Sequence, residues 1–191
     1  MSKYVLILNA SPRKNGNTAF LVGKTAEGIR ASYPDAEIEV VRLEELKITP
    51  CRACDTCRRG DRSGLYCGLD DGMTALYDKV IRADAIVLAS PIYWFSLSAQ
   101  MKLFMDRLYG LWLERNKFLQ GKPVGAILVF GDVDAYVSGA VHAIGTIKSL
   151  WNYTGAKPAG IAYGSANDIG DAEKNAELVK KAYALGTELL N

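Results

Sequence analysis

The chain has one histidine, His142, and neither a G-x-S-x-G turn nor a visible pair of carboxylates. Hydrolysis or group transfer by a side-chain nucleophile and its base therefore has no evident machinery. Long apolar stretches are also missing: runs such as Tyr4 to Leu8 and Ala85 to Ala89 are strand-sized, far below the roughly 20 residues that span a bilayer. No N-terminal segment joins a basic head, an apolar stretch and a small-residue cleavage site. Neither sign of charge dominates, with 23 Lys and Arg against 21 Asp and Glu and a net charge of +2. The broad basic face of a nucleic-acid binder is thus absent. These absences predict a soluble, cytoplasmic protein with no membrane and no nucleic-acid partner. With 191 residues, 49% of them hydrophobic, residues 1–191 are expected to form one domain around one core.

What is present is an alternation of short apolar runs with longer periodic segments, a βα repeat. Strands are predicted at Lys3 to Asn9, Glu37 to Leu43, Ala85 to Ser90, Pro123 to Phe130 and Gly160 to Gly164. Helices are predicted at Thr18 to Ser32, Met73 to Arg82, Ala99 to Glu114, Gly139 to Tyr153 and Asp171 to Leu190. In the third helix Met101, Phe104, Met105, Leu108 and Trp112 form one apolar stripe. The first strand is apolar almost without a break, as in a sheet covered on both faces. The expectation is an α/β, flavodoxin-like three-layer fold with a five-stranded parallel sheet in the order 2-1-3-4-5. A ligand belongs beyond the carboxyl ends of strands one and three, at the switch point.

Two loops reach that point. Ser11-Pro12-Arg13-Lys14-Asn15-Gly16-Asn17-Thr18 follows the first strand and opens a helix, offering backbone N–H groups, two hydroxyls, an amide and a cation to a phosphate. It lacks the Gly-Lys-Ser/Thr ending of a Walker loop, and no G-x-G-x-x-G accompanies it. A monophosphate such as that of FMN suits it better than ATP or a dinucleotide, although an ordinary polar turn capped by Thr18 would look similar. The third strand runs into Pro91-Ile92-Tyr93-Trp94-Phe95. Apolar and aromatic groups at a switch point suit a flat ring, whose edge such a loop's N–H groups can bond. Packing beneath the next helix or at a subunit contact is the alternative.

Residues 44–72 form the one long irregular segment, and all four cysteines fall inside it within 17 consecutive positions. Cys51, Cys54 and Cys57 follow C-x2-C-x2-C, with Cys67 ten positions on. Three thiolates in one loop and a fourth from the returning chain suit a [4Fe-4S] cluster; zinc and redox-active thiols are the alternatives. Asp70 or Asp71 is expected to cap the next helix, and His142 to be a partly exposed helix residue.

Together, SPRKNGNT, the cysteine-rich segment ending in Asp70-Asp71, and SPIYWFSLSAQMKLFMDRLY resemble the NADPH-dependent FMN reductases of the flavodoxin-like superfamily, in particular the iron-sulfur flavoproteins. The resemblance implies that Ser11, Arg13, Asn17 and Thr18 hold the FMN phosphate and that Pro91, Ile92, Tyr93, Trp94 and Phe95 embrace the ring. Gly131 and Asp132 would complete the pocket, joined by Asp134 or Tyr136. It also implies Cys51, Cys54, Cys57 and Cys67 as cluster ligands, though those flavoproteins have a tighter final gap. A homodimer or homotetramer is implied as well. The function expected is an FMN-dependent oxidoreductase that takes electrons from NAD(P)H or a reduced carrier and hands them on through the cluster. The alternatives are a cluster-free NAD(P)H-dependent reductase of quinones, flavins or another small-molecule acceptor, and a passive carrier, which the balanced charge disfavours.

Overall fold

The computed structural model describes residues 2–59, 66–111 and 118–191. Five parallel strands lie side by side: β1 (Tyr4–Asn9), β2 (Glu37–Arg42), β3 (Ala85–Tyr93), β5 (Pro123–Phe130) and β6 (Lys157–Ser165), in the order β2-β1-β3-β5-β6. The two-residue β4 (Ser96–Leu97) folds back antiparallel on β3. Counted without β4, this is the expected 2-1-3-4-5 order. Register is fixed by pairs such as Leu6↔Ile86 and Leu88↔Ala126.

All six residues of β1 are buried, and their alternation divides them between two cores. Leu6 and Leu8 pack with α2 (Thr74–Arg82), α3 (Ala99–Arg107) and α4 (Ala140–Thr154). Val5 and Ile7 point the other way, to α1 (Asn17–Ser32), α5 (Asp171–Lys174) and α6 (Ala176–Glu188). A strand with helices on both sides has no wet face, which is why its sequence is apolar throughout. Each such Leu or Ile contributes about 1.5–3 kcal/mol by leaving water. Among the described residues no helix is long and apolar enough to cross a membrane.

Four elements differ from expectation, the first being β6, which begins at Lys157 rather than Gly160. β3 runs through Pro91 to Tyr93 rather than stopping at Ser90, because the chain beyond Ser90 stays paired to β5 as far as Pro91↔Val129. α3 ends at Arg107 and tightens into a 3-10 turn, Leu108–Leu111; the rest of the expected helix, with Trp112, lies outside the described residues. The segment expected as one helix from Asp171 to Leu190 divides at Asn175, whose side chain accepts from Leu178 N at 3.1 Å and so caps α6. In the stripe of α3, Met101, Phe104 and Leu108 are buried as expected. Trp151, on α4, is part of the core.

Candidate functional site: a cleft at the strand ends and a separate cysteine loop

The loop after β1 is built from its own polar atoms. Ser11 N donates to Asn9 Oδ1 at 3.0 Å, Arg13 N to Ser11 Oγ at 3.2 Å, and Gly16 N to Arg13 O at 3.3 Å. Gly16, with extended backbone, is the N-cap of α1. It brings no capping side chain, and the first turn of α1 holds no acidic residue. The leading N–H groups of the helix and its positive dipole end are therefore left for a ligand. Thr18 is buried inside the first turn, so it is not the cap, and Arg13 is exposed at the rim. Asn17 has a different role in view: its Nδ2 donates to Ala166 O at 3.0 Å and Asp168 O at 2.8 Å. Its Oδ1 accepts from Gly170 N and Ala172 N. The amide ties this loop to the one after β6 and leaves only the backbone N–H of Asn17 to a ligand.

The aromatic segment divides. Pro91 and Ile92 are buried as the end of β3, and Tyr93 is half-exposed. The chain then reverses in a two-residue turn at Trp94 (φ 47°) and Phe95 (φ 69°). Both residues are left-handed, the conformation such a tight hairpin demands and glycine or asparagine normally supplies. For bulky side chains it costs about 1–3 kcal/mol each. The base of the turn is fastened where Ser98 N donates to Ser90 Oγ at 3.0 Å and Ser98 Oγ to Ala10 O at 3.0 Å. Phe95 lies over Gly139 (φ 75°), where a Cβ would stand 2.5 Å from Phe95 Cβ. Trp94 is 91% exposed.

A cleft of about 180 Å³ opens between these loops. Ser11, Arg13, Gly16, Asn17 and Thr18 form one wall, and Pro91, Ile92 and Tyr93 the second. Val129, Phe130 and Gly131, with Ala166 and Asn167, form the third. Trp94, Phe95 and Asp132 do not line it. Asp134 is spent on its own loop, accepting from Tyr136 N at 2.7 Å and Val137 N at 2.8 Å. Val129, Phe130, Ala166 and Asn167 are wall residues that sequence reading missed, Asn167 being the polar one. A Cβ at Gly131 would stand 2.5 Å from Asn167 Oδ1, so a side chain there would make the Asn167 amide swing aside. A polar Asn-Asp pair just past the carboxyl end of a strand was the available signal.

The cysteines lie elsewhere, between Thr49 and Asp71. No disulfide joins them. Cys51 and Cys54 are exposed, Cys57 and Cys67 half-buried. The short 3-10 turn Thr56–Arg58 carries Cys57, and Gly68 packs so closely that a Cβ there would be 2.9 Å from Thr56 Cγ2. Burial first, then the neighbouring Cys67, Cys51 and Cys54, push the Cys57 thiol up. Hydrogen bonds from the Thr56 hydroxyl, 3.3 Å away, and from the Thr56 N–H pull Cys54 down. Ala53 (φ 50°) and Asp55 (φ 57°) are both left-handed. The donor chemistry is that of a thiolate site. Among the described residues, though, no three Cys, His, Asp or Glu side chains stand together as a metal-ion shell. Asp71 accepts from Met73 N at 2.9 Å just ahead of α2, but its main bond is an ion pair to Arg107. His142 is exposed on α4.

The profile of one family, described as NADPH-dependent FMN reductase, matches residues 4–168. The chain belongs to this family. An iron-sulfur flavoprotein of Archaeoglobus fulgidus is 32% identical over 185 residues, covering 94% of this chain and 75% of that protein. Another, of Methanosarcina thermophila, is 34% identical over 124 residues, 65% of this chain. The match spans 61% of that protein, so it is less than two thirds of that relative's length. In fold, the chain is similar to an FMN-dependent NADH-azoreductase of Bacillus anthracis in complex with FMN. The TM-score is 0.71 and the identity 15%, covering 99% of this chain and 100% of the other.

Proposed function

We propose that the protein binds FMN in the cleft at the strand ends, accepts electrons there from NAD(P)H or a reduced carrier, and delivers them to a small-molecule acceptor. One observation carries this reading. An uncompensated helix N-terminus and an apolar strand end face each other across a single cleft, in a chain of the FMN reductase family. Bound FMN supplies hydride acceptance and one-electron release, so no side chain need act as nucleophile or base. The N–H groups of the first turn of α1, with Ser11, Thr18 and Arg13, hold the phosphate. Pro91, Ile92 and Tyr93 form the apolar wall beside the ring, and Gly131 and Asn167 bound its far side. Trp94 and Phe95 stand outside this wall and act as its rim. Homo-oligomerisation in the cytoplasm belongs to the same reading, and exposed apolar side chains near the rim, Trp94, Val133 and Tyr136, support it.

Cys51, Cys54, Cys57 and Cys67 are the proposed ligands of a [4Fe-4S] cluster, which would supply a one-electron store next to the flavin domain. The four-thiol donor set and the names of the relatives support it. The open placement of Cys51 and Cys54 favours a second reading, a cluster-free NAD(P)H-dependent reductase. An ultraviolet-visible spectrum of protein purified without oxygen, with iron, sulfide and flavin assays on the same sample, separates them. Flavin bands over a broad iron shoulder, with about four irons per chain, support the two-centre protein. Flavin bands alone select the cluster-free reductase, and a colourless protein with no thermal gain from added FMN defeats the assignment of the cleft.

A further inference from the structure

Arg107 ends α3, and only 2% of its surface is exposed. Its guanidinium meets Asp71 through two bonds, Nη1 to Oδ2 at 2.7 Å and Nη2 to Oδ1 at 3.1 Å. The same two nitrogens reach a carbonyl on each stem of the cysteine loop: Thr49 O at 2.8 Å before the first cysteine, and Leu69 O at 3.3 Å after the last. Asp71 completes the knot by accepting from Thr49 N at 2.8 Å. Thr49 and Asp71 are 22 positions apart in the chain, and one planar group joins them.

Cys67 adjoins this knot. Tyr77 Oη donates to Arg107 O at 2.9 Å, and Cys67 packs against the core cluster that holds Tyr77. Arg107 Nε–H is buried with no partner among the described residues. At its other end α3 is fastened to both flavin-side loops through Ser98, bonded to Ala10 O and to Ser90. Nine helical residues, roughly 14 Å of rigid rod, thus run from the cleft wall to the loop stems.

We infer that Arg107 is the positioning residue of the cysteine loop: it clasps both stems and, through α3, sets where the four thiols stand relative to the cleft. A buried ion pair is seldom retained for stability alone, because an apolar pair of similar volume often serves as well. What an apolar pair cannot do is bond two carbonyls and a carboxylate in one plane. Lysine cannot either, since its ammonium is a point charge without the fork. The inference rests on the reading of this loop as the thiolate site, and its test is built to separate the two.

The test compares full-length, FMN-loaded wild type with R107M, R107K and D71N, all prepared without oxygen. It reads hydrogen exchange in both loop stems, the labelling rate of Cys67 by a thiol reagent, and flavin and iron content. R107M and D71N are expected to speed stem exchange and Cys67 labelling by about tenfold or more. FMN content and exchange in β1 and α1 should stay as in wild type, and R107K should fall between. Unchanged stem exchange in R107M and D71N overturns the inference. So does a loss spread evenly over β1, α1 and the stems, which would make the pair a general support. If R107M does not fold, D71N decides by the same two measures. Wild type without iron removes the cluster and leaves the clasp to be judged by exchange and labelling.

Discussion

The cleft and the cysteine loop are reached from opposite ends of α3, and each is accompanied by two left-handed residues that are not glycine: Trp94 and Phe95 at the rim of the cleft, Ala53 and Asp55 in the loop. Their support differs. Every wall of the cleft continues a strand of the parallel sheet or the first turn of a helix packed against it, so its backbone is anchored to the ladder of bonds that joins the strands. In the described part of the cysteine loop only short 3-10 turns are regular, and its stems meet at one buried guanidinium. A site made of strand ends inherits rigidity from the fold, whereas a site made of a long loop needs a dedicated fastening.

The largest effect that would break this contrast is expected on the cleft side. α1 and α6 touch backbone to backbone at Gly28, where a Cβ would run into the Tyr183 carbonyl oxygen. Gly28→Ala should cost about 2–3 kcal/mol in urea unfolding and loosen FMN, because the backbone cannot move aside. Wild-type stability would mean that the phosphate loop does not depend on this contact.

Next comes acid. Burial pushes the Asp71 carboxyl up, but the hydrogen bonds from Arg107 and from the Thr49 and Met73 N–H groups outweigh it and hold the group at about 2. A depressed carboxylate stabilises the fold above its unfolded value near 4, and that contribution vanishes as pH falls through about 2. About 2 kcal/mol should therefore be lost between pH 4 and 2. Thiol labelling of Cys67 should rise over the same range of loss when measured by an acid-tolerant reagent, and D71N should flatten the profile. A profile in D71N as steep as in wild type would assign the acid loss elsewhere.

Smaller changes sharpen the contrast from within the cleft. Arg13→Ala removes an exposed cation, so unfolding should not change, while FMN affinity in a fluorescence titration should fall about tenfold for one charge-assisted bond. An unchanged affinity would move the phosphate away from this loop. Gly131→Ala should cost less than about 1 kcal/mol, because the atom its Cβ meets is the free end of the Asn167 side chain. A heavier loss would show that Asn167 is fixed in place.

Much of this was legible in the sequence. The order of strands followed from βα alternation, and the switch point from that order, because apolar runs covered on both faces leave few other arrangements. Two walls of the cleft were legible as motifs. The third was legible only at Gly131: Asn167 enters because β6 is the neighbour of β5, a fact of sheet order. Asn17 shows the limit of motif reading, since its amide is claimed by residues about 150 positions away. Helix boundaries failed where a polar side chain found a tertiary bond, as at Asn175, whose Nδ2 also donates to Ser165 O at 3.3 Å.

By itself, then, the sequence determined the fold, the polar loop that opens α1 and the presence of a thiol-rich segment, because hydrophobic period, helix-start chemistry and cysteine spacing are local. Only the tertiary structure decided which residues share a wall, that Trp94 and Phe95 turn outward, and that Arg107 meets Thr49, Leu69 and Asp71. Those outcomes depend on pairings between distant segments, where one buried charge must find its partners and no local pattern records which they are.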